Sequence, residues 1–495
     1  MRIDDLMTES GVKFGTSGAR GLASDMTDRV CYAYAAGFLQ YLVSEGAASR
    51  GTDLAMAGDL RPSSPRVLAA CARAASDLGF RPRYFGPIPT PALAAYGIAN
   101  AIPSLMVTGS HIPDDRNGIK FNRPAGEILK PDEEGIRAQE VTLPSGLFDA
   151  VGTFVPGTPS ALPGEEPQAY GAYVARYLDF YPRGCLAGLR VGVYEHSSVA
   201  RRAYVDVLEG LGAQVKRLGF SERFIPVDTE AIRPEDLALA RGWAADGSLD
   251  ALVSADGDGD RPLVADERGE WLRGDIAGIL CARALGARGV VTPVSSNTAV
   301  ERCGAFERVL RTRIGSPFVI EGMQRLSAAG LTPVVGYEAN GGFLLDSPVE
   351  RGGRTLMALP TRDALVVALT ILAAAREEGR PVSALAGDLP RRFTHSDRIQ
   401  DFPTEISQTR LAALRTGDPQ RDRAAVEAAF ADWFGPVAEI ETTDGLRITF
   451  ESGEIAHLRP SGNAPELRAY TEAETPERAA EMNATCMRIL AGWRG

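Results

Sequence analysis

The stretch Leu54-Ala55-Met56-Ala57-Gly58-Asp59-Leu60-Arg61-Pro62-Ser63-Ser64-Pro65-Arg66-Val67 joins a short apolar run to the start of a helical pattern. Residues 54–58 read as a buried strand, and 64–78 as a helix with Val67, Cys71, Ala74 and Ala75 on one face. The same alternation extends outward. Residues 104–108 read as a second buried strand, and a polar stretch rich in Pro and Gly follows at 157–166. The pattern restarts with a strand at 189–194, a helix at 199–211 and a strand at 251–254. It restarts again with a strand at 289–294, a helix near 318–328, a strand at 333–337 and a helix at 362–376. Such alternation predicts parallel sheets covered on both faces. The C-terminal region differs: short strands at 438–442, 446–450, 455–458 and 467–471 are separated by Asp444-Gly445 and Ser452-Gly453 turns. One helix follows, with Thr475 as N-cap, Pro476 in the first position and a body from 477 to 491, which predicts a small α+β unit.

The chain has 495 residues. One core rarely grows past about 250–300 residues, and at about 150 residues per domain three or four units are expected. Lys and Arg total 53 against 64 Asp and Glu, a net charge of −11, with no basic block. That balance argues against nucleic acid as a partner. No run reaches the roughly 20 apolar residues of a membrane span; the longest, 364–375, suits a buried helix. The opening MRIDDLMTES carries acids where a signal peptide needs an apolar stretch. Cys31, Cys71, Cys185, Cys281, Cys303 and Cys486 are scattered without a Cys-x-x-Cys pair. They predict reduced thiols in a cytoplasmic protein. Only four of the 53 basic residues are lysines: Lys13, Lys120, Lys130 and Lys216.

Four motifs carry chemistry. Thr108-Gly109-Ser110-His111-Ile112-Pro113, continuing to Asn117-Gly118-Ile119-Lys120, follows a strand. A small-residue turn there puts Ser110 in the open, where its hydroxyl can act as a nucleophile or carry a phosphate. Asp256-Gly257-Asp258-Gly259-Asp260-Arg261 places carboxylates at alternate positions after another strand, a spacing that can curl around one hard cation. An EF-hand calcium loop is a competing reading, but Arg261 stands where that loop needs glycine. Gly336-Tyr337-Glu338-Ala339-Asn340-Gly341-Gly342 offers a carboxylate and an amide for paired sugar hydroxyls, or a plain turn. Arg459-Pro460-Ser461-Gly462-Asn463-Ala464-Pro465-Glu466-Leu467-Arg468 can cradle a dianionic phosphate, or form a hairpin with surface charges.

In this order and spacing the four motifs resemble the α-D-phosphohexomutase family, and most closely its bacterial phosphomannomutase-type members. Phe14-Gly15-Thr16-Ser17-Gly18-Ala19-Arg20-Gly21, Gly58–Ser64 and Gly86-Pro87-Ile88-Pro89-Thr90-Pro91 are also similar to segments of that family. The resemblance implies three mixed α/β sandwich domains (1–155, 156–268 and 269–385) and a C-terminal α+β domain (386–495) around a central cleft. It implies that hexose 6-phosphate and hexose 1-phosphate, of mannose and also of glucose, are interconverted through a phosphoserine and a hexose 1,6-bisphosphate, which also serves as activator. Ser110 would be the phosphoserine, and Asp256, Asp258 and Asp260, with Ser110, would hold Mg²⁺. Arg20, Arg261 and Lys120 would neutralise the transferring group, with His111 and Lys120 as candidates for proton transfer. Glu338, Asn340 and the segment around Gly315 would meet the sugar. Arg459, Ser461, Gly462, Asn463 and Arg468 would hold the distal phosphate.

The chain departs from the family pattern in three places. The family's sugar loop often ends Glu-x-Ser-Gly-His, and here Gly342 stands at the His position. Its phosphate loop is often Ser-Gly-Thr-Glu-Pro, and here it is Ser461-Gly462-Asn463-Ala464-Pro465. A Thr-Gly-His-like segment becomes Ile314-Gly315-Ser316. Phosphoglucosamine mutase, a Mg²⁺-dependent sugar-phosphate phosphatase and a non-catalytic sugar-phosphate binding protein are the alternatives. The expected partner is a small phosphosugar met by a monomer or dimer in the cytoplasm, without nucleic acid or membrane. His196 and His395 read as surface or satisfied histidines, and His457, two residues before Arg459, as structural. Lys120 stands out because an ammonium can release a proton where a guanidinium cannot.

Overall fold

A computed structural model of the chain describes residues 1–15, 18–461 and 465–494. Three α/β sheets, a two-stranded antiparallel ribbon (Val349–Arg351 with Arg354–Leu356) and a five-stranded antiparallel sheet succeed one another. In the first, Asp53–Gly58 runs parallel to Arg81–Tyr84 and to Ser104–Val107. Arg116–Arg123 runs antiparallel to both Ser104–Val107 and Gly18–Leu22. In the second, Ala251–Ala255 is parallel to Arg190–His196 and antiparallel to Pro262–Ala265. In the third, Val334–Tyr337 is parallel to Gly289–Pro293 and antiparallel to Phe343–Leu345.

The parallel sheets expected from the alternation are therefore mixed. The motifs themselves cause this. Each of the three loops that follow Val107, Ala255 and Tyr337 returns the chain directly into a neighbouring strand. A connection that short cannot make a crossover, so the returning strand must be antiparallel. The same hairpins place three chemistry-bearing loops at strand ends.

The C-terminal sheet orders Phe393–Ile399, Leu467–Ala473, Ile455–Pro460, Leu446–Phe450 and Val437–Glu441, all antiparallel. Thr475 caps the last helix, Pro476–Ala491, as expected, its side chain accepting from Arg478 N. The expectation of one helix is corrected: Thr404–Leu414 and Pro419–Phe434 precede the hairpins. The longer of these buries only a narrow stripe of apolar residues, Val426, Phe430 and Phe434, within a highly charged sequence, so its periodicity is faint.

A continuous apolar cluster crosses the three α/β units, from Ala55 and Leu93 through Val193 and Val253 to Val335 and Leu369. The C-terminal unit has its own cluster around Leu411, Phe430, Leu458 and Met482. Asp363 caps the helix Ala364–Glu378 by accepting from Leu365 N, and it also accepts from Tyr173 (2.7 Å) and Tyr177 on the helix Gln168–Phe180. The second and third units are thereby tied through one carboxylate. All six cysteines are free thiols. No helix among the described residues is long and apolar enough to cross a membrane.

The Ser110 loop rests on a buried ion pair. Asp59 bonds Arg61, and both side chains are fully buried. Asp59 also accepts from Ser64 Oγ (2.6 Å), Thr108 Oγ1 (2.7 Å) and Gly109 N (3.3 Å). Arg61 donates to the carbonyls of Ser110 (3.2 Å) and Ile112, and the Phe224 ring covers its guanidinium at 4.0 Å. Removing one partner of such a pair strands the other charge. Asp59→Ala is expected to lower stability by about 3–5 kcal/mol in urea unfolding. A loss within the range of an ordinary surface substitution would show that the pair does not hold the loop.

His196 is fully buried, and its Nε2 lies 2.7 Å from Ala255 O, which makes that nitrogen the donor. Burial pushes its pKa from 6.5 down to about 4; the Ala255 carbonyl and Asp236 pull upward, while Arg201 and Arg233 push down. The unfolded chain therefore takes up the proton first. This contribution to stability is complete above pH 6.5 and declines as the pH falls from 6.5 toward 4, by about 3 kcal/mol at the lower end. Urea unfolding across that window should show a flatter acid limb for His196→Asn than for the parent protein; identical limbs would refute the assignment.

Candidate active site

Ser110 lies at the first of the three hairpin ends with φ +57°, in the left-handed region that costs a non-glycine residue energy. Thr108 Oγ1 accepts its amide at 2.8 Å. The expectation that Ser110 stands in the open is corrected: it is 1% exposed. The reason is the close approach of the second unit. A Cβ on Gly257 would lie 2.7 Å from Ser110 O, so only a glycine lets the acidic loop pack against the serine. Ser110 Oγ donates to Asp256 Oδ2 at 2.5 Å, and His111 Nδ1 lies 3.4 Å from the same hydroxyl.

Asp256, Asp258 and Asp260 are buried, and each can aim an oxygen so that all three lie within 4.8 Å of one another. Asp256 Oδ1 accepts from the amides of Asp260 and Arg261 at 3.2 Å. Lys120 Nζ donates to Asp258 Oδ2 and Asp260 Oδ2, at 2.6 Å each, and Thr90 donates to Asp258. Arg261 Nε lies 3.8 Å from Asp260 Oδ1 and 4.0 Å from Asp256 Oδ2. Asp258 Oδ1 and Asp260 Oδ1 are buried without a hydrogen-bond partner among the described residues. Unpartnered buried carboxylate oxygens, in a donor set made only of oxygen, fit a hard divalent cation.

The electrostatics follow from burial. Burial, with Asp258 and Asp260 alongside, pushes Asp256 well above the carboxylate range. Burial would raise Asp258 too, but the bonded Lys120 ammonium holds it below its ordinary value. For Lys120 burial acts downward, and the two aspartates outweigh it and raise the group. Burial, with Arg261 and Arg362 beside it, lowers Arg20 to about 10. Burial first, and Arg261 next, push His111 down to about 3, so its ring is neutral near pH 7.

The loop at the end of Val334–Tyr337 joins this cluster through a residue that sequence reasoning missed. Arg362 bonds Glu338 on one side and Asp260 on the other. Asn340 Oδ1 accepts from Gly342 N at 2.9 Å, and its carbonyl accepts from Thr229 Oγ1 at 2.7 Å. Gly315, with φ +131°, begins the helix Ser316–Ala328, and Ser316 Oγ reaches Glu127 at 2.9 Å.

The phosphate-type loop lies on the C-terminal unit. Arg459 pairs with Asp444 at 2.9 Å, and the same Asp444 accepts from Ile314 N at 3.0 Å. Arg468 pairs with Glu466 at 2.9 Å, and Ser461 N donates to the Glu466 carbonyl. Gly462 and Asn463 lie outside the described residues, as do Thr16 and Ser17 of the opening segment. A cavity of about 490 Å³ opens at this junction, lined by Arg313, Arg415, Asp444, Arg459 and Ser461 among others. Glu230, which faces Arg468, Arg273 and Arg261, also escaped sequence reasoning. Of the remaining histidines, His196 is buried, His395 is exposed, and His457 is buried against Tyr470 and bonded to Asp444 O.

Comparisons with known proteins show the family. Residues 11–142 match domain I of the phosphoglucomutase/phosphomannomutase family, 273–393 match its domain III, and 411–488 match its C-terminal domain. The chain is 43% identical to a phosphomannomutase of Salmonella muenchen, over 98% of this chain and 96% of that protein. It is 31% identical to a phosphoglucosamine mutase of Sorangium cellulosum (strain So ce56), over 93% of this chain and 89% of that one. Its fold matches the crystal structure of a phosphoglucomutase/phosphomannomutase family protein from Burkholderia thailandensis with a TM-score of 0.72 at 19% identity, covering 97% of each chain. A buried serine facing three aspartates at the ends of mixed α/β sheets, family matches across three segments and full-length identity of 43% together show that the chain belongs to the phosphoglucomutase/phosphomannomutase family, the α-D-phosphohexomutases.

Proposed function

We propose that this chain is a phosphohexomutase, an isomerase that moves a phosphate between C6 and C1 of mannose and, through the same O3 and O4 hydroxyls, of glucose. The observation that carries the reading is the Ser110 hydroxyl, enclosed 2.5 Å from Asp256 within the acidic cluster. A serine loaded with phosphate there is kept from water, which would hydrolyse it. The full-length 43% identity to a phosphomannomutase favours mannose phosphates over glucosamine phosphates.

In this reading Ser110, Asp256, Asp258 and Asp260 would hold Mg²⁺, which when bound supplies charge neutralisation at the phosphoryl group. Phosphorylated Ser110 gives its phosphoryl group to a sugar hydroxyl. The Oγ–P bond breaks, the sugar O–P bond forms, the hydroxyl proton passes to the neutral His111 ring, and the Lys120 ammonium is the acid available to the departing Ser110 oxygen. The hexose 1,6-bisphosphate so made turns over in the cleft, and its other phosphate returns to Ser110. A trace of the same bisphosphate loads an unphosphorylated serine. Arg20 and Arg261 face the transferring group. Glu338, Asn340 and the Gly315 segment meet the hydroxyls that both orientations present alike. Arg459, Ser461, Gly462, Asn463 and Arg468 hold the phosphate that is not reacting. The four units, taken as 1–155, 156–268, 269–385 and 386–495, each contribute one loop, and the cavity of about 490 Å³ beside Arg459 and Ser461 leaves room for the phosphate that is not reacting.

With mannose 1-phosphate, Mg²⁺ and a trace of hexose 1,6-bisphosphate, mannose 6-phosphate is the expected product. Inorganic phosphate without isomer would overturn the reading. Ser110→Ala should lose turnover by more than about a thousandfold and, by intact mass, carry no phosphate where the parent carries one. Full activity in that variant would exclude Ser110 as the phosphoryl carrier. Chelation should abolish turnover and added Mg²⁺ restore it; unchanged turnover after complete metal removal would exclude the cation.

A further inference from the structure

Arg362 is the residue through which the acidic loop and the sugar-type loop meet. It is 3% exposed. Its Nε and Nη2 lie 3.1 and 3.0 Å from Asp260 Oδ2, and its Nη1 donates to Glu338 Oε2 at 3.2 Å. One guanidinium therefore spans a carboxylate of the second unit and one of the third. The planar fork of arginine suits this, because its donors keep fixed directions. The backbone that carries it is held on both sides. Thr361 Oγ1 donates to Glu127 at 2.6 Å, while Asp363 N donates to Phe343 O at 2.9 Å and the Asp363 carboxylate receives Tyr173 and Tyr177.

Gly342 explains what the stem of Arg362 does. A Cβ on Gly342 would lie 2.5 Å from Arg362 Cδ and 2.7 Å from Cγ, distances that real Cβ atoms essentially never show. The Gly342 backbone is not in the left-handed region, so its conformation does not itself ask for glycine. The neighbouring side chain does. The volume that a side chain at 342 would fill belongs to Arg362, which lies just before the N-cap Asp363 of the helix Ala364–Glu378.

We propose that Arg362 is the positioning residue of the sugar-facing loop: it clamps Glu338 toward the acidic cluster and occupies the side-chain space at 342, so that arginine at 362 and glycine at 342 act as one unit. The inference rests on the phosphohexomutase reading. Arg362 acts through Glu338 and Asp260 rather than on the reacting atoms. Asp260 keeps the Lys120 ammonium when Arg362 is removed, whereas Glu338 loses its ion pair, so the loss weakens the hold on the sugar hydroxyls more than it slows phosphoryl transfer.

The test is a cycle of Arg362→Ala, Gly342→Ala and the double variant, with Arg362→Lys beside it, read by steady-state kinetics on mannose 1-phosphate and by thermal unfolding. Arg362→Ala should raise KM about tenfold, the size of one lost charge-assisted hydrogen bond, with a smaller fall in kcat. Arg362→Lys keeps a buried cation and the fold but not the fork. Its KM should lie between those of the parent and Arg362→Ala. Gly342→Ala should be damaging alone and add far less to Arg362→Ala, since the clashing Cγ and Cδ are then gone and only the 3.1 Å approach to Asn340 Oδ1 remains. A parent-like KM in Arg362→Lys and Arg362→Ala, or additive losses in the double variant, would overturn the proposal. If the parent protein makes no isomer, the mutase reading fails. The unfolding cycle then still reports whether 342 and 362 are coupled.

Discussion

The constraint on which the rest of the molecule depends is the burial of three carboxylates within 4.8 Å of one another. Carboxylates out of water are costly unless partnered, and no single unit of this chain supplies the partners. The acidic loop brings its own Arg261. Lys120 arrives from the first sheet, and Arg362 from beside a helix of the third. The cluster is thus a reason for the α/β units to pack together at their hairpin ends, as well as a place for chemistry.

The same ends are where the chain departs from relaxed geometry. Ser110 has a left-handed backbone, a conformation held by Asp59, Arg61 and Thr108 rather than by its own preference. Holding the hydroxyl this way fixes its direction before any substrate arrives, which is what a phosphoryl carrier must do if positioning is to supply much of its catalysis.

Much of this was legible in the residues. The strand that ends at Ala255 and the loop Asp256–Arg261 were readable because a buried apolar run followed by alternating acids has few other meanings. The sheet directions were not, because strand patterns carry no sign; the shortness of the loops set them. Thr404–Leu414 and Pro419–Phe434 were obscured by charge-rich sequence around a narrow apolar stripe. Arg362 was hidden for a different reason. Its partners Asp260 and Glu338 lie 102 and 24 residues away, and in sequence it is one arginine at the start of an apolar helix. Gly342 read as a lost side chain, when the structure shows its space already taken from elsewhere.

The division of the core has a consequence for the seam between the third and C-terminal units. The three α/β units share an apolar cluster, whereas the cluster of the C-terminal unit is separate. The seam between the third and C-terminal units carries polar bonds: Asn297 Nδ2 to Arg392 O, Thr298 N to Glu472, Ile314 N to Asp444. Water can replace each of these, so separating the two units there would uncover polar surface rather than the shared apolar cluster. Heat-capacity change tracks apolar exposure. Parting the C-terminal unit from the third at this seam would therefore carry a small heat-capacity change compared with that of unfolding.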